Sequence, residues 1–376
     1  MAADDYAILV GISRYADPTF PSLQGPASDV ALFKRWLIGA QGGAVPEHRI
    51  HCILSPSPYP ENVDALQAPP LVAEFDAAYI RMERERMAMK AERAAAGRLY
   101  LYFSGHGFCS RDMDRGEEAA LYAANAAKDY FQHIFGTYYA RRAKAKALFA
   151  EIVLIMDCCR DAEVNRAPIQ PALVNTPDDG LAADVRLFAI YAVPRGGKAH
   201  EREIPERGAV HGLLTHALFK AFEQARPSKD GAISATRLRD HLLQSWDAVC
   251  GLDAAPRPEF LLPGHEMYFA AQNTGAAVEF SFKAPQPPGA LLILRNGRLQ
   301  RVAQFSAAGD ANEDLVGGDD SPVVKLERDG TTLKLRLMPG FYTYELSGLP
   351  QTKGNIKVEG GELSVVFDAN GVVAAA

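Results

Sequence analysis

EIVLIMDCCRD, residues 151–161, runs through five apolar side chains from Ile152 to Met156 and then stops at Asp157, Cys158, Cys159 and Arg160. An unbroken apolar run of this length, with no polar alternation, predicts a strand buried on both faces of a parallel sheet. In open α/β sheets ligands bind outside the carboxyl ends of the strands, so the polar residues at the end of this run are placed where chemistry happens. Side chains alternate along a strand, which puts Asp157 and Cys159 on one face and Met156 and Cys158 on the other. Cys158 is therefore expected to fill the core, and Cys159 is the candidate nucleophile. Two buried cysteines closing a strand are the alternative, because cysteine is among the most buried residue types.

A second stretch bears on that choice. RLYLYFSGHGF, residues 98–108, is another apolar run, and it ends in His106 held between Gly105 and Gly107. Alone it reads equally well as a tight turn with an incidental histidine. If both runs lie in one parallel sheet, His106 and the cysteines leave the same rim. A thiol attacks as the thiolate and is mostly protonated at neutral pH, so an adjacent imidazole supplies the base it needs. Acyl transfer also needs donors for the developing oxyanion, for which the amides of Gly107 and Cys159 are candidates.

The 376 residues are 48% hydrophobic and 23% charged, ordinary for a globular chain with a sizeable core, and long enough for two or three domains. A net charge of −6 argues against a general binder of nucleic acid or of an anionic membrane. MAADDYAILVGI lacks the basic start of a signal peptide, and no stretch has the apolar length of a membrane helix. Cys52, Cys109, Cys158, Cys159 and Cys250 are an odd count without framework spacing, which fits reduced thiols in the cytoplasm.

Strand-like and helical patterns alternate along residues 1–272. YAILVGI and RIHCIL read as strands. DVALFKRWL places Val30, Phe33, Trp36 and Leu37 on one helical face, and a charged helix is expected over 71–96. ALYAAN reads as a strand, followed by helix to about residue 150. VRLFAIYAV is a strand, PRGGKAHEREIPERG a loop, and two amphipathic helices follow. These features predict an α/β domain, a mostly parallel sheet sandwiched by helices. From Asn273 the pattern switches to alternation, as in Val278, Phe280 and Phe282, with hairpin signals at Asn296-Gly297, Asp329-Gly330 and Gly360-Gly361. Residues 273–376 are expected to form a separate antiparallel, sandwich-like all-β domain.

LYFSGHG followed about 50 residues later by LIMDCCRD resembles the histidine and cysteine boxes of the caspase-like cysteine peptidases, which include caspases, metacaspases, paracaspases and bacterial orthocaspases. The resemblance extends to YAILVGISRYADPTFPSLQGPASDVALFKRWL and to HGLLTHALFKAF, covering about residues 5 to 225. It implies a cysteine endopeptidase with His106 as general base and Cys159 as nucleophile. It also implies a pocket role for Asp29, because LQGPASDVALF is similar to the segment whose aspartate lines the substrate pocket in paracaspases and metacaspases. From the residues alone, Asp29 in the first turn of a helix is better explained by the helix dipole. Asp157 shares the strand face of Cys159, and two carboxylates in one pocket favour a bound guanidinium, so cleavage after arginine is expected, with lysine weaker.

The chain also departs from its relatives. Arg160 gives the nucleophile box a caspase character, and Lys198 stands about where paracaspases carry an acidic pocket residue. Relatives further imply a zymogen in a bacterial defence or cell-death type pathway, opened by an activating protease or by itself between about Arg160 and Arg207. Some metacaspases need calcium; DMDRGEE faintly resembles an oxygen-ligand loop but reads more simply as a solvated charge run, and no metal or other cofactor is expected. Protein substrates are the expected partners, with a regulatory protein alongside. The competing reading is a scaffold or sensing module whose β domain recruits a partner while catalysis is weak or absent.

Overall fold

The computed structural model describes residues 4–58, 60, 63–90, 96–110, 118–127, 129–163, 180–225, 232–251, 256–270, 276–308, 314–316, 323–329, 331–338, 340–347, 353–358, 362–368 and 371–375. The chain runs β1 (Tyr6–Gly11), α1 (Gly25–Ile38), β2 (Ile50–Leu54), α2 (Val72–Lys90), β3 (Arg98–Ser104), β4 (Gly107–Ser110), β5 (Glu118–Tyr122), β6 (His133–Phe135), α3 (Gly136–Ala145) and β7 (Glu151–Asp157). It continues through β8 (Asp161–Glu163), β9 (Arg186–Tyr191), β10 (Glu201–Ile204), β11 (Ala209–Gly212), α4 (Leu213–Gln224), β12 (Ala232–Ser234), α5 (Ala235–Cys250), β13 (Glu259–Leu261) and β14 (Tyr268–Ala270). The apolar runs of the sequence, β1, β3 and β7, form the middle of a six-stranded sheet ordered β13-β9-β7-β3-β1-β2. Every pairing in it is parallel except that of β13 with β9.

Strand alternation sorts the two faces of this sheet. Leu99, Leu101 and Phe103 of β3 and Ile152, Leu154 and Met156 of β7 pack with Phe75, Tyr79 and Met82 of α2 and Tyr139 of α3, and Cys158 joins that core. The opposite face meets α1 and α4. Pro26 starts α1, where its missing N–H and fixed φ are tolerated, and Val30, Phe33, Trp36 and Leu37 are all buried. Phe33 stacks on Trp36 at 5.7 Å and on Tyr102 of β3 at 4.9 Å, so this helix is locked to the central strand. Burying side chains of this size contributes roughly 1.5–3 kcal/mol each.

Two expectations are corrected. Helix to residue 150 fails because β6 takes His133–Phe135 into a small sheet ordered β6-β5-β4-β8, leaving only Gly136–Ala145 to α3. The expected loop at PRGGKAHEREIPERG contains β10, which pairs antiparallel with β11 through a turn closed by Gly208 at φ +65°. Glu201 and Glu203 hid this hairpin, since charged residues suppress the strand signal. The helix expected over 71–96 is present from Val72 to Lys90, and residues 91–95 lie outside the described residues.

The chain divides into two compact units, residues 1–221 with 234–269, and 222–233 with 270–376. The second unit is a β sandwich of β15 (Ala276–Phe282), β16 (Leu291–Asn296), β17 (Arg301–Ser306), β18 (Leu315–Val316), β19 (Val323–Asp329), β20 (Thr332–Leu337), β21 (Gly340–Leu346), β22 (Lys353–Val358), β23 (Glu362–Asp368) and β24 (Gly371–Ala375). Its sheets are ordered β19-β20-β15-β23-β24 and β18-β17-β16-β21-β22. Val278, Phe280 and Phe282 point into the shared core, as their alternation predicts. The sandwich is not purely antiparallel, because β15 and β23 pair in parallel. β22 and β23 do not pair with each other as the expected hairpin required, since they belong to different sheets; Gly360-Gly361 itself lies outside the described residues.

Candidate active site

β3 and β7 are adjacent and in register, with Ser104 opposite Asp157. His106 and Cys159 each follow two residues later, so one sheet edge delivers both to a single cavity. That cavity, of about 260 Å³, is lined by Asp29, Ser104, Gly105, His106, Asp157 and Cys159 on the sheet and α1 side, and by Ala199, His200, Glu201 and Gly212 opposite. Gly105 has φ +151°, and a Cβ there would lie 2.7 Å from Tyr15 Oη, so the chain can turn His106 into the cavity only with glycine at this position.

The imidazole of His106 is fixed on three sides. Its Nε2 lies 2.8 Å from the carbonyl oxygen of Pro21, which can only accept, so Nε2 carries the proton and the Nδ1 lone pair is left as the base. The backbone N–H of His106 donates to Tyr15 Oη at 2.8 Å, and the rings of Tyr15 and Phe20 pack at 5.0 and 5.9 Å from the imidazole. Burial lowers the His106 pKa below the usual histidine value, only partly offset by the bond to Pro21, so the ring is a neutral base at physiological pH.

Cys158 is buried against the carbonyl of Ala120, whereas Cys159 is only partly buried. The Ala199 N–H donates to Cys159 Sγ at 3.3 Å. Burial pushes the Cys159 thiol above its ordinary pKa and the Ala199 N–H works against that rise. The group is thus a thiol at neutral pH and needs a base to become a nucleophile. The Cys159 N–H donates to no acceptor among the described residues. Gly107 is buried and lies outside the cavity lining. The His106 carbonyl accepts from the Tyr122 N–H, so Gly107, one residue on and opposite Leu121, stands at a non-hydrogen-bonded position with its amide turned away from β5.

Three carboxylates line the cavity. Asp29, 0% exposed, accepts from Ser104 Oγ at 2.9 Å, His211 Nδ1 at 2.8 Å and the Gly212 N–H at 3.2 Å. Asp157 accepts from the N–H and Oγ1 of Thr215 at 2.9 and 2.7 Å, and Thr215 Oγ1 is 2.6 Å from Tyr102 Oη. Gly212 sits between the two acids, since a Cβ on it would fall 2.2 Å from Asp157 Oδ2. Burial, and next the charge of Asp29, push the Asp157 carboxyl up to about 7. Burial likewise raises Asp29, against the hydrogen bonds from His211 and Ser104.

The third acid, Glu201, is one the sequence did not reveal. It accepts from the N–H groups of Gln24 and Gly25 at 3.0 and 2.8 Å, supplying the start of α1 with the acceptor that Gln24 does not provide. Lys198, expected at the far wall, is not among the residues lining the cavity; Glu201, three positions on, is. Arg160, also outside the lining, is 1% exposed and reaches away from the cavity to the carboxylate of Glu259 and the Val193 carbonyl, with its guanidinium 4.4 Å from the Tyr191 ring centre. DMDRGEE lies outside the described residues except for Glu118, and no group of three His, Cys, Asp or Glu side chains among the described residues is placed to hold a metal ion. No helix among them is long and apolar enough to cross a membrane.

The caspase-domain family model matches residues 4–247. A "probable protease" from a Desulfuromonadales bacterium is 26% identical over 227 residues, 57% of this chain and 25% of that protein, so the chain spans about a quarter of that relative's length. Among solved structures, protein GSU0716 from Geobacter sulfurreducens is similar at 14% identity and TM-score 0.40, covering 69% of this chain and 94% of that one. Caspase-1 from Spodoptera frugiperda is similar at 12% identity and TM-score 0.42, covering 69% and 88%. With the caspase-domain model spanning well over half of its length, the chain belongs to the caspase-domain peptidase family.

Proposed function

We propose that this protein is a cysteine endopeptidase that cuts proteins after basic residues, arginine before lysine, using Cys159 and His106. The observation that carries this reading is the cavity in which Asp29, Asp157 and Glu201 face the same space as the thiol and the imidazole. The planar guanidinium of a substrate arginine can satisfy more than one of these carboxylates at once, whereas a compact ammonium satisfies fewer. An aspartate in the same space would bury like charges together, at a cost of several kcal/mol.

In the reaction, His106 Nδ1 takes the proton of Cys159 Sγ, and the thiolate attacks the carbonyl carbon of the scissile bond. The negative charge on the carbonyl oxygen is met by the N–H of Cys159 and that of Gly107. The imidazolium then protonates the leaving amine, and water, activated by the same imidazole, hydrolyses the thioester. No step calls on a metal or other cofactor. The protein acts in the cytoplasm as a regulated zymogen in a bacterial defence or cell-death type pathway, with protein substrates and an activating protease as partners. The activating cut falls between about Arg160 and Arg207; residues 164–179 of that segment lie outside the described residues, and the buried Arg160 side chain makes it a poor residue to cut after. Turnover of a fluorogenic panel differing only in the residue before the scissile bond tests the reading: arginine should lead, and Cys159→Ala should be inert. Preference for aspartate, or activity in Cys159→Ala, would overturn it.

A further inference from the structure

The outer face of the sheet containing β16, β17, β21 and β22 carries a groove of about 520 Å³ that the peptidase chemistry does not use. Strand register places Arg301, Arg295, Thr343 and Asn355 in one row across four strands, and Glu345 and Lys353 are paired in the next. Every member of the first row can donate a hydrogen bond, and two are guanidinium groups. The Arg295 side chain makes no hydrogen bond or ion pair among the described residues, although it lines the groove. Lys353 is held by Glu345 at 3.0 Å.

Two apolar side chains flank this row. Leu299, in the β16–β17 turn, is 66% exposed and Phe341, at the start of β21, is 63% exposed, the highest values for large apolar side chains among the described residues. Gly297 of the same turn brings the two segments together, since a Cβ on it would lie 3.8 Å from Phe341 Cβ. Lys357 Nζ stands 5.7 Å from the Phe341 ring centre. Within these four strands and the turn the charged residues are Arg295, Arg298, Arg301, Lys353 and Lys357 against the single carboxylate of Glu345, in a chain whose net charge is −6. A locally basic face with exposed Phe and Leu on an acidic protein has the composition of an interaction surface, where arginine and aromatic anchors concentrate binding energy.

We propose that this face docks an acidic, extended peptide segment of a partner protein that carries large apolar side chains. Its carboxylates would meet the Arg301–Arg295–Thr343–Asn355 row, and its apolar residues would cover Leu299 and Phe341. A polyanion such as nucleic acid fits less well, because its sugar-phosphate backbone offers no aliphatic side chains to cover Leu299 and Phe341, and its higher charge density is repelled more strongly by the chain's net charge of −6. This assignment is independent of the peptidase reading.

The test uses the full chain carrying Cys159→Ala, so that no probe is cleaved, and fluorescence anisotropy with a labelled peptide of about 12 residues alternating Asp or Glu with Leu or Phe, a length matched to a standard-sized contact. The controls are the same peptide with lysine for the acids, the same with serine for the apolar residues, a single-stranded oligothymidylate, and phosphatidylserine vesicles. The acidic apolar peptide should bind best, and more weakly as salt is raised. Arg295→Glu and the double variant Leu299→Ser, Phe341→Ser should each weaken it about tenfold or more, while Glu345→Gln should tighten it. All three alter outward side chains, so unchanged unfolding temperatures confirm that the sandwich is intact. The proposal is overturned by affinity indifferent to Arg295→Glu, by tighter binding of the oligonucleotide or the vesicles, by no binding of any probe, or by self-association lost in the same variants.

Discussion

Replacing Asp157 by asparagine should lower activity and raise stability together, a combination that ordinary damage to a core does not produce. The carboxyl of Asp157 is buried, and burial with the neighbouring charge of Asp29 raises it from an ordinary 3.8 to about 7. Between these values the unfolded chain has released the proton and the folded chain still holds it, so folding stability falls as pH rises through this window. The contribution is most favourable below pH 4 and is lost by the time pH passes 7. Asparagine can keep an acceptor toward the Thr215 N–H and Oγ1 and cannot ionise. From pH 5 to pH 8 wild type therefore loses stability relative to Asp157→Asn by about two pKa units' worth, of the order of 2 to 3 kcal/mol. For a chain of this size that is a differential shift of roughly 3 to 5 °C in unfolding temperature. Thermal unfolding of both proteins at pH 5 and pH 8 measures it, and arginine-peptide turnover should meanwhile fall about tenfold or more. An asparagine variant less stable than wild type by the same amount at both pH values would refute the buried, proton-holding carboxyl.

Three further outcomes follow from the same geometry. His211→Asn can present its amide nitrogen where Nδ1 now meets Asp29, so it should keep most arginine turnover, while His211→Ala should raise KM more than it lowers kcat; equal kinetics for the two variants would dismiss the contact. Glu201→Gln should weaken arginine substrates chiefly through KM, by about 1 kcal/mol if one charge-assisted bond is replaced by a neutral one, as initial-rate curves would show. Glu259→Ala strips the buried Arg160 of its carboxylate. Because Glu259 is half exposed, the loss should be only about 1–2 kcal/mol rather than that of a fully buried pair, and denaturant midpoints read it directly.

Much of this site was legible because its signals are local. The runs ending at Ser104 and Asp157 are unbroken, and alternation after Met156 is enough to send Cys158 into the α2 and α3 core and Cys159 to the other side. Asp157 is readable in the same way from the strand face it shares with Cys159, whereas Asp29 was placed in the pocket only by the resemblance of LQGPASDVALF to caspase-like relatives. Glu201 and His211 were invisible for the opposite reason. Glu201 acts on the start of α1 from 177 positions away, and a charged hairpin that pairs only with itself reads as a loop. The Pro21 carbonyl carries no side-chain signal at all, and the parallel pairing of β15 with β23 depends on a crossover between sheets that no local pattern encodes.

The most direct measurement is intact and peptide mass spectrometry of the protein treated with a peptide electrophile bearing arginine before its reactive carbon, beside the aspartate analogue. The account predicts a single adduct from the arginine reagent, located on Cys159, retained in Cys158→Ala and lost in Cys159→Ala and in His106→Ala. An adduct on Cys158, or faster labelling by the aspartate reagent, would contradict it.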